Sequence, residues 1–413
     1  MRTCFWRPAL LGFTIGMSAC GGSGGGDTAG RSVGGGASSA PIAAEPPRSD
    51  RERPFEGPTH YLEVSDGTLI AMHVRMPDNY VEGRKYATIV EIAGYDNGSS
   101  DGPTLTGRVG EAAGLPFALP LAESSRTQRS VFFEDRYVTV QISLRGTGCS
   151  SGEFDLFSLR SAMDGHEAIE WLARQPWSNG DVGLYGHSYS GITGTLVAST
   201  RPPSLRVITL SGLIGDLYRD LVYPGGLTNY GFPLLWTGAV RPLFDYGGGK
   251  VTGIAGEANA QKDPRCLQNQ AASSRTVIEE PLVHGVIDQD TPWFQARSTV
   301  NYAPQINVPT QIVTAYQDEQ VGPRGGAYVF DLLDPAVPRR LVMLNGNHEM
   351  QSSHAEVVSE RNAWVDHYLL GRPNPFVDPR STPESVRVLL EVHCPTGGSG
   401  GYQSPGSLGV IPG

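Results

Sequence analysis

The stretch YGHSYSG, residues 185–191, has the pattern of a turn that presents a catalytic serine. In the common form of this turn, G-x-S-x-G, the serine lies between a strand and a helix, with a glycine two residues away on either side. Gly186 and Ser188 fit this pattern, but Ser190 occupies the second glycine position and Gly191 follows one residue later. Close packing of helix against strand requires a small side chain there, so we predict that Ser190 is tolerated and that Ser188 is a nucleophile.

A serine hydroxyl needs a base to accept its proton and a carboxylate to orient that base. When the nucleophile lies between a strand and a helix, the carboxylate and then the histidine follow, each after a later strand. Asp318 follows the apolar run PTQIVTAY and His348 follows RRLVMLNG, so we predict the triad Ser188, Asp318 and His348. Taken singly, each is equally a polar residue that ends a strand. Glu319 and His354 are direct substitutes, and the weaker candidates are Asp331 and Asp334.

Short apolar runs alternate with helical patterns along the chain. A hairpin is predicted around the turn at Asp66 and Gly67. The later runs have the composition of buried strands: ATIVEIAG, YVTVQISL, DVGLYG, RVITLSG, PTQIVTAY and RRLVMLNG. The segments SAMDGHEAIEWLARQ and 189–200 are predicted helices. This alternation predicts an α/β fold, with a mainly parallel sheet and helices on both faces.

Two of these runs, RVITLSG and PTQIVTAY, are separated by roughly a hundred residues, far more than a crossover requires. We therefore predict an inserted subdomain over residues 213–307. Its aromatic residues form either the core of the insertion or a cap whose inner face lines an acyl pocket. These residues are Tyr218, Tyr223, Tyr230, Phe232, Trp236, Phe244 and Tyr246.

Several segments resemble the cocaine esterase and X-prolyl dipeptidyl-peptidase group of α/β-hydrolases, the CocE/NonD and S15-type group. GHSYSG resembles the G-x-S-Y-x-G turn of that group. The other segments are DGTLIAMHVRMP, EIAGYDNG, LRGTGCSSGEFD, EWLARQPWSNGDVGLYGHSYSG, YPGGLTNYGF, AYQDEQVG and WVDHYLLG. Together they extend over nearly all of residues 58–371.

The resemblance implies a role for each matching residue. Ser188 is then the nucleophile, Asp318 the carboxylate and His348 the base. The oxyanion is then stabilised by the phenol of Tyr95 and by the backbone N–H of Tyr189, the residue after the serine.

The resemblance also implies a domain organisation. The α/β-hydrolase domain is expected at residues 58–212 and 308–371, and a helical cap at 213–307. The group usually carries a C-terminal jelly roll, a domain of eight strands. Residues 372–413 are too few to build it, so we expect a truncated remnant with the strand VRVLLEV and a tail. Ser143 stands where the group often has an acidic residue before its R-G-T-G turn.

The N-terminal sequence MRTCFWRPALLGFTIGMSAC has the order of an export signal: basic residues, a short apolar stretch and small residues. Its ending resembles a lipobox, so we predict a lipoprotein signal at residues 1–20 and lipidation of Cys20, with an ordinary secretory signal as the alternative. Residues 21–57 are dominated by Gly, Ser, Ala and Pro and are predicted to be a flexible tether. We therefore expect a lipid-anchored protein of the bacterial cell envelope, or a secreted one.

Charge and cysteine content narrow the choice of partners. The net charge is -10 and no basic run is present, which argues against a nucleic-acid partner. No metal-binding motif is present, and neither a metal nor a cofactor is predicted. An oxidising envelope permits one disulfide among Cys149, Cys266 and Cys394, and the sequence does not choose the pair. Nor does it indicate an oligomeric state.

We predict a serine hydrolase that cleaves small-molecule esters, or amides, through an acyl-enzyme intermediate. The nearest alternative is an X-Pro dipeptidyl-peptidase or an amide acylase. A dipeptidyl-peptidase must bind an N-terminal ammonium, so carboxylates of the insertion, or Glu279 and Glu280, would have to line its pocket. The alternative from another class is a non-catalytic or truncated lipoprotein on the hydrolase scaffold.

Overall fold

The computed structural model of the protein describes residues 59–94, 136–236, 263–272, 289–376 and 384–389. Within these residues nine strands form one sheet, in the order β1-β2-β4-β3-β5-β6-β7-β8-β9. The first two strand pairs, β1 with β2 and β2 with β4, are antiparallel, and the other pairs are parallel. The strands are β1 (His60–Glu63), β2 (Leu69–Arg75), β3 (Tyr86–Ala93), β4 (Val138–Ser143), β5 (Ser178–His187), β6 (Leu205–Ser211), β7 (Thr310–Ala315), β8 (Arg339–Leu344) and β9 (Glu384–Leu389).

Helices follow several strands and pack on the sheet. The side chain of Ser158 accepts a hydrogen bond from the N–H of Ser161 and so caps the first helix, while the last long helix ends at Gly371, which has a φ of 67°. The helices are α1 (Leu159–Ala173), α2 (Tyr189–Ser199), α3 (Phe232–Leu235), α4 (Pro264–Ala272), α5 (Pro292–Gln295), α6 (Arg324–Leu332), α7 (Met350–Ser353) and α8 (Ala355–Leu370). Shorter helical turns span Leu217–Val222, Pro224–Gly226, Thr299–Asn301 and Ala303–Gln305.

Both faces of the sheet are covered, because alternate side chains of a buried strand enter different cores. In β3, Val90 and Ile92 belong to the large core that includes residues of α1 and α2. Ala87 and Ile89 belong to a second core, on the opposite face, with Trp364 of α8. The predicted α/β-hydrolase fold, a mainly parallel sheet with helices on both faces, is thereby confirmed.

The edge strand β9 corrects one expectation. We expected the VRVLLEV run to be a remnant of a C-terminal domain, but β9 pairs in parallel with β8 and extends the catalytic sheet. Arg387 of β9 pairs with Glu356 and Glu360 of α8, and Glu360 also pairs with Arg340 of β8. This ion network, buried at Arg340 and Glu360, links β9 to α8 and to β8.

The turn after β4 is held by another ion network. Arg145 donates to both carboxylate oxygens of Asp164 on α1, at 2.6 and 2.7 Å, and to Asp66 of the hairpin turn at 2.9 Å. Ser143, at the position where the related group often has an acidic residue, accepts a hydrogen bond from Ser150 on its backbone carbonyl. Asp164 of α1 therefore supplies a carboxylate that holds Arg145.

A disulfide between Cys149 and Cys266 joins α4 of the insertion to this turn. The side chain of Asn269 donates to the carbonyl of Cys149 at 2.9 Å and strengthens the same junction. Cys394 lies outside the described residues, as do residues 1–57 with the predicted signal, Cys20 and the tether. None of the described helices combines the length and the apolar character needed to cross a bilayer.

Candidate active site

Ser188 lies at the turn between β5 and α2 with a φ of 58° and a ψ of -122°, a strained conformation for a residue with a side chain. Its backbone N–H donates to the carbonyl of Ser211 on the neighbouring strand β6 at 2.9 Å. A Cβ atom on Gly186 would lie 2.2 Å from the carbonyl oxygen of Ser190, and one on Gly191 would lie 2.4 Å from that of Ser211. Both glycines are therefore required, including the one that comes a residue later than in the common pattern.

Ser190 makes contacts that a glycine in its place would lack. Its hydroxyl accepts a hydrogen bond from the backbone N–H of His187 and lies 2.9 Å from a carboxylate oxygen of Glu91, to which it donates. Glu91 lies on β3, is only 7% exposed, and also accepts from Gln141. The Ser190 hydroxyl thus links the turn of Ser188 to β3 in the middle of the sheet.

Asp318 follows β7 and is buried. One of its carboxylate oxygens accepts the N–H groups of Gln320 and Val321, both at 2.9 Å, and the other lies 2.8 Å from Nδ1 of His348. Burial by itself raises the pKa of Asp318, but the hydrogen bond and charge of His348, with the two N–H groups, outweigh it. The pKa of Asp318 therefore lies below its ordinary value of 3.8, and the group is an anion at neutral pH.

His348 follows β8 and is 1% exposed. Its Nε2 atom is buried and has no hydrogen-bond partner among the described residues, so this nitrogen is available to a hydroxyl of the turn or of a substrate. A Cβ atom on Gly212 would lie 3.0 Å from Cε1 of His348 and 3.0 Å from the backbone nitrogen of Ser188. The structure thus brings Ser188, Asp318 and His348 together at the carboxyl ends of three parallel strands.

The substitute residues take other positions. Glu319 accepts the backbone N–H of His348 at 3.1 Å but does not hold its ring. His354 precedes α8, and Asp331 and Asp334 are exposed on or beyond α6. Asp318 is the carboxylate at the imidazole of His348.

His187, which the sequence analysis did not single out, is buried beside His348. Its ring packs against the ring of His348, with the centroids 4.7 Å apart. Nδ1 of His187 lies 2.9 Å from the hydroxyl of Ser211. Burial, and then the neighbouring His348, hold the pKa of His187 well below its ordinary value of 6.5. A histidine before the serine was visible in the sequence, but nothing there indicated which ring it would meet.

Only one of the two residues predicted to stabilise the oxyanion lies within the described residues. Tyr95 lies outside the described residues. Tyr189 begins α2, where backbone N–H groups have no acceptor within the helix and favour negative charge. A Cβ atom on Gly94, at the end of β3, would lie 2.6 Å from the Tyr189 ring. The end of β3 therefore touches the residue after Ser188.

An aromatic cluster surrounds the buried ring of Tyr189. Phe157 and Phe154 lie with ring centroids 4.8 and 6.5 Å away, and Trp236 of the insertion stacks at 5.8 Å. The ring of Tyr218, in contrast, packs against the rings of Tyr223 and Phe294. Tyr230 is 75% exposed, whereas Phe244 and Tyr246 lie outside the described residues. The insertion's aromatic residues are thus divided between its own packing and the wall beside the catalytic turn.

Within the described ranges no three His, Cys, Asp or Glu side chains are grouped so as to hold a metal ion. The arrangement of a strained serine, a buried imidazole and a buried carboxylate is suited to acyl transfer.

The sequence pattern of the family described as X-Pro dipeptidyl-peptidase (S15 family) matches residues 66–350. A protein named as a serine esterase from Mycobacterium bovis is 29% identical over 177 residues, which are 43% of this chain and 27% of that protein. Cocaine esterase of a Rhodococcus species is 33% identical over 110 residues, 26% of this chain and 19% of that protein. A protein named as an Xaa-Pro dipeptidyl-peptidase from Streptomyces avermitilis is 23% identical over 311 residues, 71% of this chain and 42% of that protein. The chain spans less than half the length of each of these relatives.

Solved structures show the same fold. A CocE/NonD family hydrolase from Staphylococcus aureus superposes with a TM-score of 0.56 at 22% identity, over 81% of this chain and 53% of that one. An α-amino acid ester hydrolase superposes with a TM-score of 0.55 at 16% identity, over 85% of this chain and 60% of that one.

Proposed function

Because this chain belongs to the X-Pro dipeptidyl-peptidase (S15) family and is a serine hydrolase, we propose that it cleaves esters through an acyl-enzyme formed on Ser188. The observation that carries the proposal is the buried hydrogen bond between Asp318 and His348, beside the strained turn of Ser188. An imidazole held at Nδ1 by a carboxylate presents an unprotonated Nε2 to the nucleophile.

The reaction begins when the hydroxyl oxygen of Ser188 attacks the ester carbonyl and its proton passes to Nε2 of His348. Asp318 holds the imidazole by its Nδ1–H and stabilises the imidazolium that forms. The negative charge on the former carbonyl oxygen is stabilised by the backbone N–H of Tyr189 and the phenol of Tyr95.

Collapse of this intermediate breaks the bond to the leaving group, which takes the proton from His348. Water then attacks the acyl-enzyme: its proton passes to His348, the acid is released, and the hydroxyl of Ser188 regains its proton. No other reactant is consumed.

An ester is favoured over an X-Pro peptide by the state of the described carboxylates of the insertion. Asp216 and Asp290 both pair with Arg219 at 2.7 Å, and Asp220 pairs with Arg324 at 2.6 Å. The remaining described carboxylate of the insertion, Asp263, accepts from the hydroxyl of Tyr61. Carboxylates already paired in this way are poor ligands for a substrate ammonium. Glu279 and Glu280 lie outside the described residues.

The aromatic cluster beside Tyr189 supports an apolar acyl group. Phe154, Phe157 and Trp236 make the surroundings of the Ser188 turn apolar, and such surroundings favour a hydrocarbon group over a charged one. We therefore propose bulky or hydrocarbon acyl esters as the substrate class.

The test is the hydrolysis of p-nitrophenyl butyrate and of an X-Pro p-nitroanilide by the full chain in mild detergent, beside Ser188→Ala. We expect turnover of the ester, lost by at least about 10⁴-fold in Ser188→Ala. Faster cleavage of the anilide would favour the dipeptidyl-peptidase. A folded chain that cleaves neither probe would favour the non-catalytic scaffold.

Attachment to the envelope through Cys20 is part of the same proposal. The disulfide between Cys149 and Cys266 supports an oxidising compartment, where such bonds persist. Metabolic labelling with a palmitate analogue should mark the full chain but not Cys20→Ser, and equal labelling of both would overturn the anchor.

A further inference from the structure

Gln351 is a buried residue of α7, three positions after His348, and is 1% exposed. Its side-chain nitrogen donates to Asp318, and its side-chain oxygen accepts the backbone N–H of Gly212 at 2.9 Å. A carboxylate can only accept and a backbone N–H can only donate, so the two partners determine the orientation of the amide. One side chain thus bridges the loop after β6 and the loop after β7.

The oxygen of Asp318 that Gln351 contacts is the one that also holds Nδ1 of His348. The other oxygen of Asp318 is occupied by the N–H groups of Gln320 and Val321. Gln351 therefore donates a second hydrogen bond to the carboxylate oxygen that holds the imidazole. A second donor on that oxygen weakens the stabilisation of the imidazolium.

The other end of the bridge reaches the nucleophile. Gly212, with a φ of 62°, follows Ser211, whose carbonyl accepts the N–H of Ser188 at 2.9 Å. A Cβ atom on Gly212 would lie 3.0 Å from the nitrogen of Ser188 and 3.0 Å from Cε1 of His348. The backbone that Gln351 holds is thus wedged between nucleophile and base.

We propose that Gln351 is a positioning residue of this hydrolase: its amide joins Gly212 to Asp318, holding the nucleophile turn in register with the acid–base pair and moderating the basicity of His348. This inference rests on the proposed function, because it assigns Gln351 a role in the Ser188, Asp318 and His348 reaction. The residue acts through others and need not touch the substrate.

Two substitutions distinguish the hydrogen bond of Gln351 to Gly212 from its hydrogen bond to Asp318. Gln351→Glu keeps an acceptor for Gly212 but places a carboxylate against Asp318, while Gln351→Met removes both hydrogen bonds at similar length. The control is Gln311→Met, which makes the same change at another buried glutamine whose side chain meets Thr209 on β6, away from the triad.

We expect both Gln351 variants to lower kcat by about ten- to a hundredfold with little change in KM, since small displacements of catalytic groups cost this much. We also expect the acidic limb of the kcat/KM profile to move to higher pH by about half a unit or more, furthest in Gln351→Glu, because the imidazolium gains stabilisation. The other charged or titratable groups around His348, which both variants retain, are Asp318, Glu319, His187 and Glu349, and Arg361 acts on His187.

A second measurement does not depend on catalytic activity. The Cε1 proton of His348, assigned by its loss in His348→Asn, should titrate at higher pH in Gln351→Glu than in the wild type or Gln311→Met. An active wild type whose folded Gln351 variants match Gln311→Met in kcat and in both pH profiles would overturn the inference alone. An inactive wild type would overturn the proposed function, and the resonance would still decide the inference.

Discussion

The imidazole of His187 packs against that of His348 with the ring planes tilted by 43°. Because its pKa lies well below 6.5, His187 remains neutral at neutral pH and presents an uncharged ring to the imidazolium that the proposed reaction forms on His348. A neutral neighbour adds no charge that would oppose this step.

The first prediction concerns stability and pH. The folded chain keeps His187 neutral where the unfolded chain protonates it, so unfolding takes up a proton as the pH falls below 6.5. The free energy of unfolding should then decrease by up to about 1.4 kcal/mol per pH unit. His187→Asn keeps an amide near Ser211 but cannot titrate, so this decrease should be absent from it.

Urea unfolding of wild type and His187→Asn at pH 7.5, 6.5 and 5.5 tests this. Asp318, and Asp66 with its pKa lowered to about 2, lose their contributions only at lower pH. Parallel pH profiles for the two proteins would contradict the assignment.

The second prediction concerns the departure from the common serine turn. Ser190→Ala removes the hydrogen bonds that this hydroxyl makes with the N–H of His187 and with one carboxylate oxygen of Glu91, which should cost about 1–3 kcal/mol of unfolding free energy. Ser190→Gly restores the common pattern but should cost about 1 kcal/mol more, because it also places glycine in a helix.

Ser199→Ala, at the end of the same helix, is the matched control and should change stability little. Urea unfolding and kcat measure the three variants. A Ser190→Gly variant as stable as the wild type would show that the hydroxyl contributes nothing.

Much of this fold is predictable from local pattern. Runs such as ATIVEIAG are apolar on both faces because β3 is buried on both, and their composition reports that directly. Local composition does not indicate which strand a given strand pairs with. The VRVLLEV run has the composition of a strand, but its pairing with β8 and its ion pair with α8 join residues that no local window contains.

The residues of the candidate site likewise fall into those that the sequence marks and those whose contacts only the structure reveals. Ser188, Asp318 and His348 are visible because strand ends and chain order mark them. The contact of Ser190 with Glu91 and that of Gln351 with Gly212 join residues 99 and 139 positions apart. Such pairings are determined by the packed sheet, and so required the structure.

The third prediction concerns the triad carboxylate. Asp318→Asn retains an oxygen for the N–H groups of Gln320 and Val321, so the loop should keep its shape. Its amide can donate to Nδ1 of His348, which moves the ring proton to Nε2, and the base can no longer accept a proton from Ser188. We expect kcat to fall on the order of 10⁴-fold, with some loss of thermal stability because the new amide nitrogen faces the donating side-chain nitrogen of Gln351. Asp331→Asn, an exposed substitution on α6, should keep full activity, and equal loss in both variants would refute the assignment.

The fourth prediction concerns the disulfide. Its partners are separated by 117 residues, so replacing Cys149 and Cys266 with serine should lower the unfolding free energy by about 2–5 kcal/mol. Reductant should lower the urea midpoint of the wild type and leave the double variant unchanged. A midpoint insensitive to reductant in the wild type would argue against the bond.

The same bond gives the chain a closed ring. Residues 149 to 266 form a covalent loop that contains Ser188, whereas Asp318 and His348 lie outside it. If the molecule were stretched between residues 59 and 376, tension would straighten the segment that bears the acid and the base. Roughly 400 Å of contour, at about 3.4 Å per residue, would stay hidden within the loop until the sulfurs were reduced. Under such a pull, Asp318 and His348 lie in the part of the chain that bears the tension, whereas Ser188 lies in the loop that the disulfide protects from it.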